Sequence, residues 1–153
     1  MSRVRTIGLR EQLAYMRMWW PTFHSRVRSG LLICDGELQP NDLCATYRVR
    51  ITLPGGDVPA VRVISPELRA REDGGRIPHM YEQERLCLYL PRTGEWTSEK
   101  PIAVTIVPWT SVWLYFYEVW HATGEWLGGG IEPDPKPPIR REPNDYERPT
   151  NPR

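Results

Sequence analysis

Cys87 stands between Leu86 and Leu88, eight residues after His79. A thiolate is a strong nucleophile and its thioester a reactive acyl donor. One cysteine therefore suffices to accept a carboxyl group and hand it to an amine, with no metal or organic cofactor. A cysteine between leucines is more often a buried core residue, so the chemical reading needs support from its setting. His79 fits two roles: a brace that orders the loop through hydrogen bonds to backbone, or the base of a Cys-His pair. Bracing is the stronger reading, because sequence separation alone establishes no contact. His24 and His121 read as ordinary surface or helix-end residues. Gly128-Gly129-Gly130 lacks the Lys-Ser/Thr of a phosphate loop, so the chain carries no site of its own for nucleotide-driven acyl activation.

The elements that must position these residues follow from periodicity. Leu9, Leu13, Met16 and Trp20 recur at helical spacing, and Pro21 closes that helix. Leu31 to Cys34 reads as a strand. From Tyr47 to Leu53 apolar residues alternate with Arg48, Arg50 and Thr52, a strand with one buried face. Pro54-Gly55-Gly56-Asp57 turns the chain, and Val61, Val63 and Ile64 form a further strand before Ser65-Pro66. The sequence therefore predicts an α+β domain built on an antiparallel meander. Leu86 to Leu90 reads as a fourth strand or a pinned loop. Trp109, Val112, Trp113, Phe116 and Trp120 recur at helical spacing between Pro108 and His121, predicting a second helix with a buried aromatic face.

The chain has 153 residues, 40% of them hydrophobic, enough for one core but not two. Residues 1–131 are read as that domain and 132–153 as a Pro-rich flexible tail with little to bury. The net charge of +1 arises from interspersed charges and builds no field for nucleic acid or a membrane surface. The N-terminal residues have no apolar leader core, and the apolar stretches look too short or too punctuated to cross a bilayer. The three cysteines, Cys34, Cys44 and Cys87, are odd in number and unclustered, which argues against a disulfide framework or a zinc site and for a reducing cytoplasm.

The order of parts over residues 9 to 122 resembles that of ubiquitin-conjugating (E2) enzymes. These have an N-terminal helix, a four-stranded meander, a His-Pro-Asn motif, an Ile/Val-Cys-Leu segment, a tryptophan element and later helices. His79 matches the motif histidine, Cys87-Leu88 the active cysteine and its leucine, and Trp96 the tryptophan that follows. Met80 and Tyr81 stand where Pro and Asn are expected. The Asn amide is held to steady the oxyanion formed when an amine attacks the thioester, so the resemblance implies that Tyr81 donates instead. The Leu-Cys-Leu segment and the Trp-rich helix are similar to the stand-alone E2-like proteins of bacterial CBASS anti-phage operons. That resemblance implies catalytic residues Cys87, His79 and Tyr81, with Trp96 packing behind the cysteine and no cofactor. It also implies a partner, a cGAS/DncV-like nucleotidyltransferase whose C-terminal acyl group rides on Cys87, and a separate E1-like enzyme for activation.

Two rivals remain on sequence grounds: a catalytically inactive E2-like binding module, and a small Cys-His hydrolase. Only Lys100 and Lys136 are lysines among 20 basic residues, which makes Lys100 the expected self-acceptor near Cys87. Trp19, Trp20 and Trp126 are read as less clearly interior than the other tryptophans, and exposed aromatics often anchor partners.

Overall fold

The computed structural model describes residues 3–129, so the expected tail and its boundary lie outside the described residues. Helix α1 (Leu9–Trp19) forms where the sequence predicts. It turns Met16 into the core, with Leu9 and Leu13 partly buried beside it. Four strands follow, β1 (His24–Arg28), β2 (Leu31–Leu38), β3 (Tyr47–Pro54) and β4 (Ala60–Ser65). They form one antiparallel sheet whose spatial order is the chain order. The alternation in β3 is realised in full: Tyr47, Val49, Ile51 and Leu53 are buried, while Arg48 and Arg50 face solvent.

The fourth strand of the meander is His24–Arg28, and residues 86–90 supply no strand to this sheet. β1 carries no apolar alternation, and Ser25 is its one buried residue. It is held by pairing with β2 and by charge. Asp35 on β2 accepts hydrogen bonds from Arg50 on β3 (2.6 and 3.0 Å) and Arg26 on β1 (3.1 Å), stitching three strands on one face. The hydrogen bonds from Arg50 lead in holding the Asp35 carboxyl below its usual range. At Gly36 the ring of Phe23 occupies the space a Cβ would need, so that position of β2 admits only glycine.

A 3₁₀ turn (Ile102–Val104) leads into helix α2 (Ile106–Thr123). This helix starts earlier than the aromatic spacing predicts, and its buried face is rotated from the expected one. Ile106, Val107, Thr110, Trp113, Leu114, Tyr117 and Trp120 are buried, whereas Val112 is 51% exposed. The helix is apolar on most sides, so no single stripe marks the inward face. By length and composition, residues 102–123 are apolar enough to cross a bilayer, which corrects the expectation that no stretch is long enough. Here they serve as the core helix, with 44% of their most apolar 18-residue window buried in the domain. α2 ends at Gly124 in the left-handed region (φ 84°), and Arg71 donates to the last-turn carbonyls of Trp120 and His121 (3.1 and 2.7 Å). Trp20 is tied down by its indole N–H, which donates to the Ala103 carbonyl at 2.7 Å, while Trp19 is 59% exposed.

Candidate active site

Between the sheet and α2 the chain makes a small hairpin, β5 (Met80–Tyr81) and β6 (Arg85–Leu86), whose second strand delivers Cys87. Its turn is built from Glu82 and Gln83, both left-handed (φ 53° and 56°), with the Glu84 N–H donating to the Tyr81 carbonyl at 2.9 Å. Residues with a Cβ resist this conformation by about 1–2 kcal/mol each, so something must hold the turn. Gln83 does so: its amide N–H donates to the Ile77 carbonyl and its oxygen accepts from the Ile77 N–H, both at 2.9 Å. Nothing in the sequence marked Gln83 for this role.

His79 is also left-handed (φ 52°). Its carbonyl oxygen accepts from the Cys87 N–H (2.9 Å) and from the Trp113 indole N–H (3.0 Å), pinning the cysteine backbone to α2. The histidine thus reaches Cys87 through its main-chain carbonyl, and its imidazole packs on Trp126 with ring centroids 5.0 Å apart.

The Cys87 sulfur lies 3.4 Å from the Tyr81 hydroxyl and 3.6 Å from the Tyr89 carbonyl oxygen. The thiol proton can be donated to either oxygen. Once the sulfur is ionised, the Tyr81 O–H becomes the donor. Burial, followed by the hydrogen bond and charge of Cys87, pushes the Tyr81 phenol above its ordinary pKa, so it keeps its proton throughout the working range. The Arg85 guanidinium sits 5.2 Å from the centroid of the Tyr81 ring and fixes its face. Tyr89 is likewise raised, by burial first and by the Cys87 charge second. Trp96 is buried with its ring 6.4 Å from that of Tyr89, behind the segment that follows the cysteine. Among the described residues, its indole N–H has no hydrogen-bond partner.

Cys87 opens onto a groove of about 210 Å³ walled by Trp109, Val112, Trp113 and Phe116 of α2 and by Trp126. A second recess of about 330 Å³, lined by Leu88, Tyr89, Leu90 and Glu95, meets the first at the cysteine. The aromatic residues expected to be mainly core therefore divide: Trp113 is buried, while Trp109 and Phe116 border the groove. Among the described residues, no group of His, Cys, Asp and Glu side chains is placed to hold a metal ion. Lys100 donates its amine to the Glu95 and Gly94 carbonyls (2.6 and 3.1 Å), which engages the nitrogen expected to act as self-acceptor.

The three thiols differ in a way alkylation can read. Cys34 is fully buried on β2, and burial pushes its pKa up to about 11. Cys44 is raised by burial and then by the Glu118 carboxylate beside it. Iodoacetamide at pH 8, followed by peptide mass mapping, should therefore label Cys87 first, Cys44 more slowly, and Cys34 only after unfolding. Labelling of Cys34 at a comparable rate in the native protein would contradict the burial described here.

A helix, a four-stranded meander, a hairpin-delivered cysteine and a second helix backing it together define an E2-like domain of the ubiquitin-conjugating type. A sequence model of the Type II CBASS E2 protein family matches residues 12–133, and the chain belongs to that family. Its role is accordingly an E2-like one in anti-phage defence. A search of curated proteins gave no match.

Proposed function

We propose that this protein carries the C-terminal acyl group of another protein as a thioester on Cys87 and transfers it to an acceptor amine. The observation that carries this reading is the Cys87 sulfur at the mouth of a groove, 3.4 Å from a half-buried phenol that keeps its proton. In this reading the donor is a cGAS/DncV-like nucleotidyltransferase, delivered in activated form by a separate E1-like enzyme in a reducing cytoplasm; membership of a CBASS family supports the existence of partner proteins.

The Cys87 thiolate adds to the activated carbonyl, the S–C bond forms, and the activating group leaves with its electron pair. An amine then adds to the thioester carbon, the C–N bond forms, and the C–S bond breaks to return the thiolate. The amine's proton passes to solvent or to that thiolate. Each addition places negative charge on the carbonyl oxygen, which lies two bonds from the sulfur and so within reach of the Tyr81 hydroxyl. His79 acts as a positioning residue, its carbonyl holding the Cys87 backbone.

Co-expression with the nucleotidyltransferase of the same operon tests the reading by non-reducing electrophoresis and intact mass. The wild type should yield a DTT-sensitive adduct, and Cys87→Ser a DTT-resistant ester or none. Co-purification without an adduct in either protein would favour a binding module instead. Turnover of a simple thioester lost in both Cys87→Ala and His79→Ala would favour a hydrolase.

A further inference from the structure

The segment after α2 is built into the wall of the site. The chain reverses at Gly124 and lays Trp126 against three rings, with centroid distances of 5.0 Å to His79, 5.4 Å to Trp113 and 5.8 Å to Phe116. It then crosses so closely that a Cβ on Gly128 would lie 2.7 Å from atoms of both Phe116 and Trp126. Gly129 lines both recesses beside Cys87. Trp126 is thus fixed by packing on residues that already hold the cysteine.

The groove is one of the two spaces that meet at Cys87, and whatever is bonded to the sulfur must run out through one of them. At about 210 Å³ the groove is smaller than the ~300–1,000 Å³ typical of small-molecule sites, and suits one or two side chains of a peptide end. Its walls are aromatic, and the exposed carboxylate-bearing Glu95 stands at its edge. We infer that Trp126 is a specificity-determining residue, which reads an apolar side chain next to the terminal residue of the acyl donor and, with Glu95 at the rim, disfavours an acidic one. This rests on the thioester reading of Cys87.

The test uses the full chain and short synthetic peptides ending in glycine, supplied as thioesters of 2-mercaptoethanesulfonate. Cys87 displaces that thiolate and takes the acyl group, so loading is followed by intact mass without an activating enzyme. The residue before the glycine is phenylalanine, leucine, alanine or aspartate. Wild type should load the phenylalanine and leucine peptides about tenfold faster than the aspartate peptide, the scale of discrimination by one apolar pocket. Trp126→Ala should bring the phenylalanine and leucine rates to within about twofold of that variant's own alanine rate, leaving the disfavour of aspartate to Glu95. Trp126→Gln, which keeps bulk but removes the aromatic wall, should lower the preference likewise and remains informative if Trp126→Ala melts at a much lower temperature.

Equal loading of all peptides by wild type would overturn the inference alone, as would an unaltered preference in both variants. Failure of every peptide to load, while iodoacetamide still alkylates Cys87, would overturn the thioester reading and this inference with it.

Discussion

Replacing Tyr81 with Phe should leave the domain folded and slow acyl transfer onto and off Cys87 by about 10²–10³-fold, the usual loss on removing one oxyanion donor. The substitution keeps the ring beneath Arg85 and removes only the hydroxyl that lies 3.4 Å from the sulfur. The backbone clamp on Cys87 belongs to His79 and Trp113, so the cysteine stays in place. Alkylation by iodoacetamide passes through no oxyanion, and its rate should fall far less than that of transfer. Single-turnover loading and discharge to a small amine, compared with alkylation of the same sample, separates the two effects. A variant that transfers within about twofold of wild type would assign the oxyanion to another donor.

The largest effect on stability is expected at Gln12. This side chain is fully buried on α1, donating to the Lys100 carbonyl at 3.1 Å and accepting from the Ile102 N–H at 2.9 Å. Gln12→Leu fills similar space but strands both backbone groups away from water. Each unsatisfied group costs about 1–3 kcal/mol, giving roughly 2–4 kcal/mol after the gain from burying a leucine. Thermal unfolding should show a melting point lower by about 10 °C. A shift below about 2 °C would mean that water or a rearranged backbone satisfies the pair. The clamp also fixes the turn from which α2 starts, so the groove walls at Trp109 and Trp113 loosen with it.

Elements whose burial repeats with a period were legible in the sequence. α1 followed from Leu9, Leu13 and Met16, and β3 from its strict alternation. β1 was not, because a strand with one buried serine is held by ladder bonds and by Asp35, and neither leaves a pattern in its own residues. α2 was found, with Trp113 and Trp120 inward as expected, but Val112 lies outward and Ile106, Val107, Thr110, Leu114 and Tyr117 inward, since an apolar helix gives little contrast between faces. At the site, Cys87, His79 and Tyr81 were read from the chain, and the structure brings all three together. Gln83 and Trp126 were missed as site residues: each acts through a fold-dependent contact that spacing does not encode. Gln12 did leave a trace. It lies three residues after Leu9 and four before Met16, a lone polar residue inside the apolar stripe of α1.

The meander has an order of assembly built into it. Each strand pairs with the one made just before it, so the sheet can close while the chain is still emerging from the ribosome. The segment holding Cys87 has no such independence. The indole that grips the His79 carbonyl belongs to Trp113, and the wall above it to Trp126, both synthesised after the thiol. A nascent chain that has exposed its cysteine therefore has a scaffold and a nucleophile but no fixed geometry between them. The thiol is set in position only once α2 and the Trp126 segment after it have packed on the hairpin, so the site is completed after the sheet that carries it.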